Sequence, residues 1–304
     1  MKRKIALALF ACVAMLVVGY FAYDRLTYVE QDLDELVEYN RTQDYDILIG
    51  RIQQTPAPPE GFTFAVVGDT QSNYGVATRV MTAAAAEEPA FILHVGDLVQ
   101  QGTISEYIAH HMRLVDAVAP IPVIPVPGNH DRCPNGDFAP FETIYGGDQF
   151  AFDYGAARFI GVNNASRYGM MDRHLRFIEK QVMQPRPDHA FVAFHIPANR
   201  WRFFEDPDER RGVRWNMRDL ERLLAEHNVD QVFMGHIHGF ATKLQDDVRY
   251  TVSGGGGGAL SQRLPAKDRA YNYLLVHVQP EGVRTEVVKW VGEQWAREQV
   301  PIES

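Results

Sequence analysis

An α/β architecture is the fold class this sequence predicts, and three observations carry it. Short apolar runs of strand length recur between residues 62 and 235, and four of the five end in a glycine followed by a polar residue. Segments with apolar residues at helical spacing separate them, so strands alternate with helices as in sheets covered by helices on their faces. Finally, 304 residues with 46% hydrophobic and 23% charged content have an ordinary globular balance, which sets aside disordered, collagen-like and disulfide-scaffold classes. That length fits one large domain or two small ones.

In chain order, the first element is Ile5 to Tyr23, a run of 19 residues without a charge that follows Lys2-Arg3-Lys4. At about 1.5 Å per residue a helix of that length spans roughly the hydrocarbon core of a bilayer. No small-x-small site closes the run, and basic residues precede it, so the expectation is a single-pass anchor with its N-terminus inside and the rest of the chain periplasmic or extracellular. The alternatives are an exported protein with a cleaved signal, or a lipoprotein at Cys12, since Leu9-Phe10-Ala11-Cys12 loosely resembles a lipobox. Cys133 is the only other cysteine, so no disulfide forms within the folded region. Next, Leu26, Val29, Leu33, Leu36 and Val37 recur at three- and four-residue intervals, predicting an amphipathic helix that either packs on its own domain or forms a stalk. Thr55-Pro56-Ala57-Pro58-Pro59-Glu60-Gly61 ends it, because proline lacks a donor and biases its predecessor toward extended geometry. The expected organisation is therefore an anchor or signal at 1–23, a juxtamembrane helix and proline-rich linker at 24–61, and the α/β domain at 62–304.

Within that domain, Phe64–Val67, Phe91–Val95, Pro122–Pro127, Ala190–Phe194 and Val232–Met234 read as buried strands. Val76–Glu87, Met171–Met183 and Asn216–Glu226 read as helices, and Phe150–Val162 as a hairpin turning at Tyr154-Gly155. Each of the five strands leads into metal-capable residues: Asp69 and Gln71, Asp97, Asn129 with His130 and Asp131, His195, then His236 and His238. Open α/β sheets place their sites at the carboxyl ends of strands. One such aspartate caps the next helix as readily as it binds an ion. Five strand ends in this order are a different matter.

These motifs, Asp-x-Gln, Gly-Asp, Gly-Asn-His-Asp, a histidine after a strand and Gly-His-x-His, resemble the calcineurin-like metallophosphoesterase superfamily over about Phe62 to Trp290. The resemblance implies a two-sheet β-sandwich flanked by helices in four αββα layers. It implies two divalent metal ions, manganese, iron or zinc, one held by Asp69, Gln71 and His238, the other by Asn129, His195 and His236, with Asp97 bridging. It further implies hydrolysis of phosphate mono- or diesters, with a water between the metals as nucleophile, His130 as general acid and Asp131 orienting the His130 ring. The alternative is a membrane-tethered module that binds metal and a phosphorylated ligand without turnover.

Departures narrow the branch. Gln100 stands where purple acid phosphatases carry their iron-binding tyrosine, and Gln100-Gln101-Gly102 replaces the Asp-Arg-Gly of protein Ser/Thr phosphatases. Gln71 replaces the commoner histidine, and its amide oxygen is a weaker ligand. Substrate contacts are expected from Arg132, next to the third motif, and from Arg200 in the aromatic loop Asn199–Phe204. Gly254–Gly258 reads as a wall beside the metals, since it lacks the lysine of a P-loop. The formal net charge of -9 repels a phosphate backbone, so no nucleic acid is expected as a partner. Which phosphoester is cleaved, and the oligomeric state, are not written in these motifs.

Overall fold

A computed structural model describes Met15, Gly19, Asp34 and residues 36–166, 169–198 and 216–301. Apart from Met15 and Gly19, the expected membrane segment lies outside the described residues, as do Arg200 and its aromatic loop. Among the described residues no helix is long and apolar enough to cross a membrane.

Residues 36–54 are helical apart from a bend at Asp44, whose carboxylate accepts from the Asp46 amide and so caps α1 (Tyr45–Gln54). Leu36, Tyr45, Leu48 and Ile52 are buried in the main core, so this helix packs on its own domain. The chain then enters β1 (Phe62–Val67), α2 (Tyr74–Ala85), β2 (Ile92–His94), a helical segment at 104–117 (α3), β3 (Val123–Pro125) and α4 (Ala139–Tyr145). The hairpin follows as β4 (Gln149–Tyr154) and β5 (Ala157–Val162), then α5 (Asp172–Met183), β6 (His189–Ala193), α6 (Met217–Glu226) and β7 (Gln231–Met234). Five strands complete the fold: β8 (Phe240–Gln245), β9 (Val248–Ser253), β10 (Asn272–Gln279), β11 (Gly282–Val291) and β12 (Gln294–Gln299).

Two six-stranded sheets result, one in the order β12-β11-β10-β1-β2-β3 and the other in the order β4-β5-β6-β7-β9-β8. β1, β2 and β3 are parallel, as are β5, β6, β7 and β9, and those strands are buried almost throughout because both faces are covered. An aromatic cluster fills the space between the sheets: Phe64 lies 5.0 Å from Phe159, 5.2 Å from Phe191 and 5.7 Å from Phe233 by ring centroids. Such edge-to-face pairs contribute about 0.5–1.5 kcal/mol each beyond their burial. α2 packs on β1 and β10 and contacts α3, while a second apolar cluster (Ile178 and Val182 of α5, Leu220 and Leu224 of α6, Val192 and Val232 beneath them) covers the other sheet. The layers are thus helix, sheet, sheet, helix.

α1 closes one flank. It packs against β3 and β4, the edge strands of the two sheets on the same side of the sandwich. Tyr45 Oη donates to the Pro125 carbonyl at 2.7 Å, and Gln53 Nε2 to the Asp153 carbonyl at 3.0 Å.

Candidate metal centre

Three of the expected metal ligands leave their strands in the left-handed region: Asp69 at φ 59°, Asp97 at φ 57° and His236 at φ 71°. That conformation costs an L-residue about 1–2 kcal/mol, so surrounding contacts must hold it. Glycines at the strand ends let the neighbouring turns crowd in close enough to do so. A Cβ on Gly128 would stand 2.2 Å from the Asp97 amide nitrogen, and one on Gly235 would stand 2.4 Å from Asp69 Oδ2. Their role is close approach between strand ends; the sharp turn is taken mostly by the ligand residues themselves.

Asp97 sits at the middle. Its Oδ1 accepts the His130 amide at 2.7 Å, while Oδ2 lies 3.2 Å from His195 Nε2 and 3.3 Å from Gln71 Nε2. On one side, Asp97, His195 and His236 converge, and Asn129 joins them with Oδ1 2.7 Å from His236 Nδ1. On the other side, Asp69, Asp97 and His238 converge, joined by Gln71 3.4 Å from His238 Nε2. Asp97 belongs to both groups. All seven residues named from the sequence therefore lie together around Asp97.

The rings are aimed by their second nitrogens. His195 Nδ1 donates to the Val95 carbonyl at 2.7 Å and His238 Nδ1 to the Ala259 carbonyl at 2.8 Å, which fixes the tautomer and leaves each Nε2 facing the centre. Gln71 Oε1 is buried without a hydrogen-bond partner, and His195 Nε2 faces only the Asp97 carboxylate at 3.2 Å, without hydrogen-bond geometry. An unpaired buried polar atom costs about 1–3 kcal/mol, and a cation between these groups relieves it. Carboxylate, imidazole and amide oxygen donors suit manganese, iron or zinc, so the residues fit the implied pair of ions.

A family profile described as calcineurin-like phosphoesterase matches residues 62–240. The chain belongs to the calcineurin-like phosphoesterase family. Metal-dependent hydrolysis of phosphoric esters is the chemistry this membership assigns. Among solved structures, the purple acid phosphatase PPD1 from yellow lupin (Lupinus luteus) seeds is similar at TM-score 0.66 and 15% identity, covering 80% of this chain and 54% of the lupin chain. The chain thus spans about half the length of that relative. GAP50, the anchor in the inner membrane complex of Plasmodium, is similar at TM-score 0.60 and 14% identity, covering 80% of this chain and 89% of its own. A dimetal phosphatase from Danio rerio follows at TM-score 0.55 and 13% identity, with 80% and 100% covered. At such identities the likeness is one of fold. The sequence matches none of the curated proteins it was compared with.

Charge in the site is organised around the two buried aspartates, Asp69 and Asp97. Burial would raise Asp97, but His195 beside it holds its carboxyl at about 2. Burial likewise opposes protonation of His195, yet Asp97 carries its ring up to about 9. His238 reaches about 9 through Asp69 against the same burial, whereas His236 is pushed down to about 3 by burial and by its neighbour His195. Asp69 is raised by burial, which its histidine neighbours only partly offset.

The third motif needs one correction. Asp131 is buried, and its carboxylate accepts the amides of Leu98 at 2.8 Å, Val99 at 3.1 Å and Gly128 at 2.7 Å. It pins the loop after β2 to the loop after β3 and does not reach the His130 ring. His130 Nδ1 instead lies 2.8 Å from the Gln100 carbonyl, to which it donates, so Nε2 is the nitrogen left for chemistry. Consecutive residues on this loop simply point opposite ways.

A cleft of about 560 Å³ opens over the centre, with Asp97, Asn129, His130, His236 and His238 on its floor and Ser261, Gln262 and Arg263 on its wall. Arg132 is half-buried and does not line this cleft. The wall was missed in the sequence because it follows Gly254–Gly258 by a few residues and carries no motif. The glycines themselves are the expected wall beside the metals: Gly256 and Gly258 amides bond the Gly68 and Asp69 carbonyls, and a Cβ on Gly258 would stand 2.6 Å from the His238 ring. Asn164 was also missed. Its buried side-chain oxygen accepts the His195 and Ile196 amides at 3.0 and 2.9 Å, fixing the turn that presents His195.

Proposed function

We propose that this chain hydrolyses phosphate mono- or diesters at a two-cation centre in which Asp69, Gln71 and His238 hold one ion, Asn129, His195 and His236 hold the other, and Asp97 touches both. The observation that carries the reading is the convergence of both groups on Asp97, with His130 lining the same cleft beside them. When bound, two divalent cations neutralise the phosphate oxygens and lower the pKa of a water placed for in-line attack. The chain's own residues do the rest. Neutral Gln71 and Asn129 keep the site's negative charge low enough for an anionic substrate to enter. His130, held through Nδ1 by the Gln100 carbonyl, presents Nε2 to the departing oxygen and gives it a proton, a step contributing about 10²–10⁴ in rate for a positioned acid. Val95 and Ala259 hold His195 and His238 in the tautomers that the ions require.

The reading includes the membrane span at residues 5–23, with the catalytic domain outside the cytoplasm. The alternative is a tethered module that binds metal and a phosphorylated ligand without turnover. Assay of the purified full chain with added Mn2+ against a panel of phosphoesters separates the two. Turnover is expected; full metal occupancy with no turnover of any ester rules the hydrolase out.

A further inference from the structure

The direction of α1 shows which end of the molecule faces the N-terminal segment. β1, β2 and β3 run parallel with their carboxyl ends at the metal centre, so Pro125 marks the site end of β3 and Pro120, ahead of that strand, the far end. Tyr45 bonds the Pro125 carbonyl, whereas Arg51, more than a turn later, donates Nη2 to the Pro120 carbonyl at 3.0 Å. The other sheet gives the same polarity. β4 is antiparallel to β5, which runs with β6 toward His195, so β4 begins at the site end. Asn40 Nδ2 bonds the Ile144 carbonyl at 3.1 Å, just before β4, and Gln53 bonds Asp153 near its other end. The helical segment 36–54 therefore descends from the active-site end to the far end. Leu36, its first residue, stands at the same end of the domain as the metal centre.

From this the geometry points to an active-site face turned toward the bilayer that holds residues 5–23, and to a phosphate monoester carried by a lipid of that bilayer as the substrate. The inference rests on the hydrolase and membrane span proposed above. Twelve residues, 24–35, separate the span from Leu36. Over the thirteen links from residue 23 to Leu36 the chain reaches at most about 47 Å when fully extended. A domain of this size has a radius of gyration of about 18 Å and is thus roughly 47 Å across. Only a connection stretched to its full limit could pass along the whole domain and set its far end on the membrane, so the cleft end is the end held close. Confinement near the leaflet raises the effective concentration of a lipid-borne ester and does nothing for a freely diffusing one. In the hydrolysis itself one water is consumed: its oxygen joins phosphorus as the P–O bond to the lipid breaks, and the departing oxygen takes a proton. The lipid alcohol stays in the bilayer and inorganic phosphate leaves.

The test uses the full chain, loaded with Mn2+ and reconstituted in phosphatidylcholine vesicles containing about 5 mol% phosphatidic acid. Phosphate release from the vesicle-borne ester is compared with turnover of p-nitrophenyl phosphate by the same preparation. Release from the lipid at least tenfold faster at matched bulk concentration is expected, and a long Gly-Ser insertion between Gln31 and Asp32 lowers it severalfold while leaving p-nitrophenyl phosphate turnover unchanged. Turnover of p-nitrophenyl phosphate without preference for the lipid ester overturns the substrate assignment and leaves the hydrolase standing; no turnover of either, with metal bound, removes the hydrolase and this inference with it. A readout independent of activity checks the orientation. A fluorophore attached through Gln262→Cys at the cleft wall transfers energy to a lipid-borne acceptor more efficiently than one attached through Glu281→Cys in the β10–β11 turn at the far end. Equal or reversed transfer refutes the placement.

Discussion

Replacing Gly258 by alanine isolates what the glycine run contributes to the metal centre. Gly258 does not occupy a left-handed conformation, so alanine meets no backbone penalty there. Its Cβ, however, would stand 2.6 Å from His238 Cε1, 2.7 Å from Nδ1 and 3.0 Å from Nε2. Ordinary carbon contacts begin near 3.5 Å, so the ring must withdraw by about 0.9 Å. It is not free to do so without loss, because Nδ1 is tied to the Ala259 carbonyl and Nε2 lies 3.4 Å from Asp69 Oδ1. Metal–ligand distances tolerate only about 0.2 Å. Overpacking of this kind costs roughly 1–3 kcal/mol, which at about 1.4 kcal/mol per tenfold corresponds to a loss of about 5- to 150-fold in affinity for the ion held by His238. Titration of Mn2+ into the chelated protein, read by calorimetry, measures this directly, and thermal unfolding in chelator shows whether the fold is intact. A variant with unchanged affinity at both sites refutes the claim that Gly258 exists to make room for His238.

Three further outcomes follow from the same geometry. Substituting His130 by Asn is expected to lower kcat by about 10²–10⁴ with metal content unchanged, and equal kcat in steady-state assays would remove His130 as the acid. In the metal-free protein His195 and His238 hold protons up to about pH 9, and each entering cation must expel the one at its own site. Apparent Mn2+ affinity at each site should therefore rise by up to about tenfold between pH 6.5 and 7.5 in competition titrations, and a flat profile would refute the linkage. For the fold, buried His94 is held down at about 3 and buried His111 well below its ordinary value, both chiefly by burial. Since the unfolded chain takes up those protons first, their contribution to stability is present above pH 6.5 and is lost as pH falls below it, by about 1.4 kcal/mol per pH unit for each. Urea midpoints measured in chelator from pH 7 to pH 5 should fall accordingly; His94→Asn or His111→Asn should flatten the slope.

Much of the centre was legible because its chemistry is local in sequence. Each of the five buried strands ends within a few residues of its ligands, and their order along the chain is the order of the motifs. The paired helices and the hairpin at Tyr154-Gly155 were legible for the same reason, as periodicity and a turn residue are short-range signals. What could not be read is what depends on partners far away. Pairing β10 with β1 joins residues more than two hundred positions apart, as Phe62 with Val278 shows, and no local pattern encodes it. The β8–β9 turn uses Asp246 and Asp247, both left-handed at φ 51° and 61°, in place of the Asn-Gly or Asp-Gly pair that flags such hairpins. Asp131 was assigned to its neighbour in sequence, whereas its three partners come from the loops after two different strands. The cleft wall at Ser261–Arg263 becomes visible only once the glycine run has folded it back over His238, whose carbonyl accepts the Ser261 amide at 2.9 Å.

The placement of α1 across β3 and β4 has a consequence for strand-to-strand pairing between copies of the chain. Both strands are sheet edges, and an uncovered edge offers a ladder of free amides and carbonyls to any other strand it meets. With α1 seated, neither edge on that flank is available. A shortened chain beginning at the proline-rich segment would keep every residue of the metal centre and still present two open ladders side by side, inviting strand-to-strand association between molecules. Insolubility of such a fragment would then reflect a missing cover and not a defective catalytic domain.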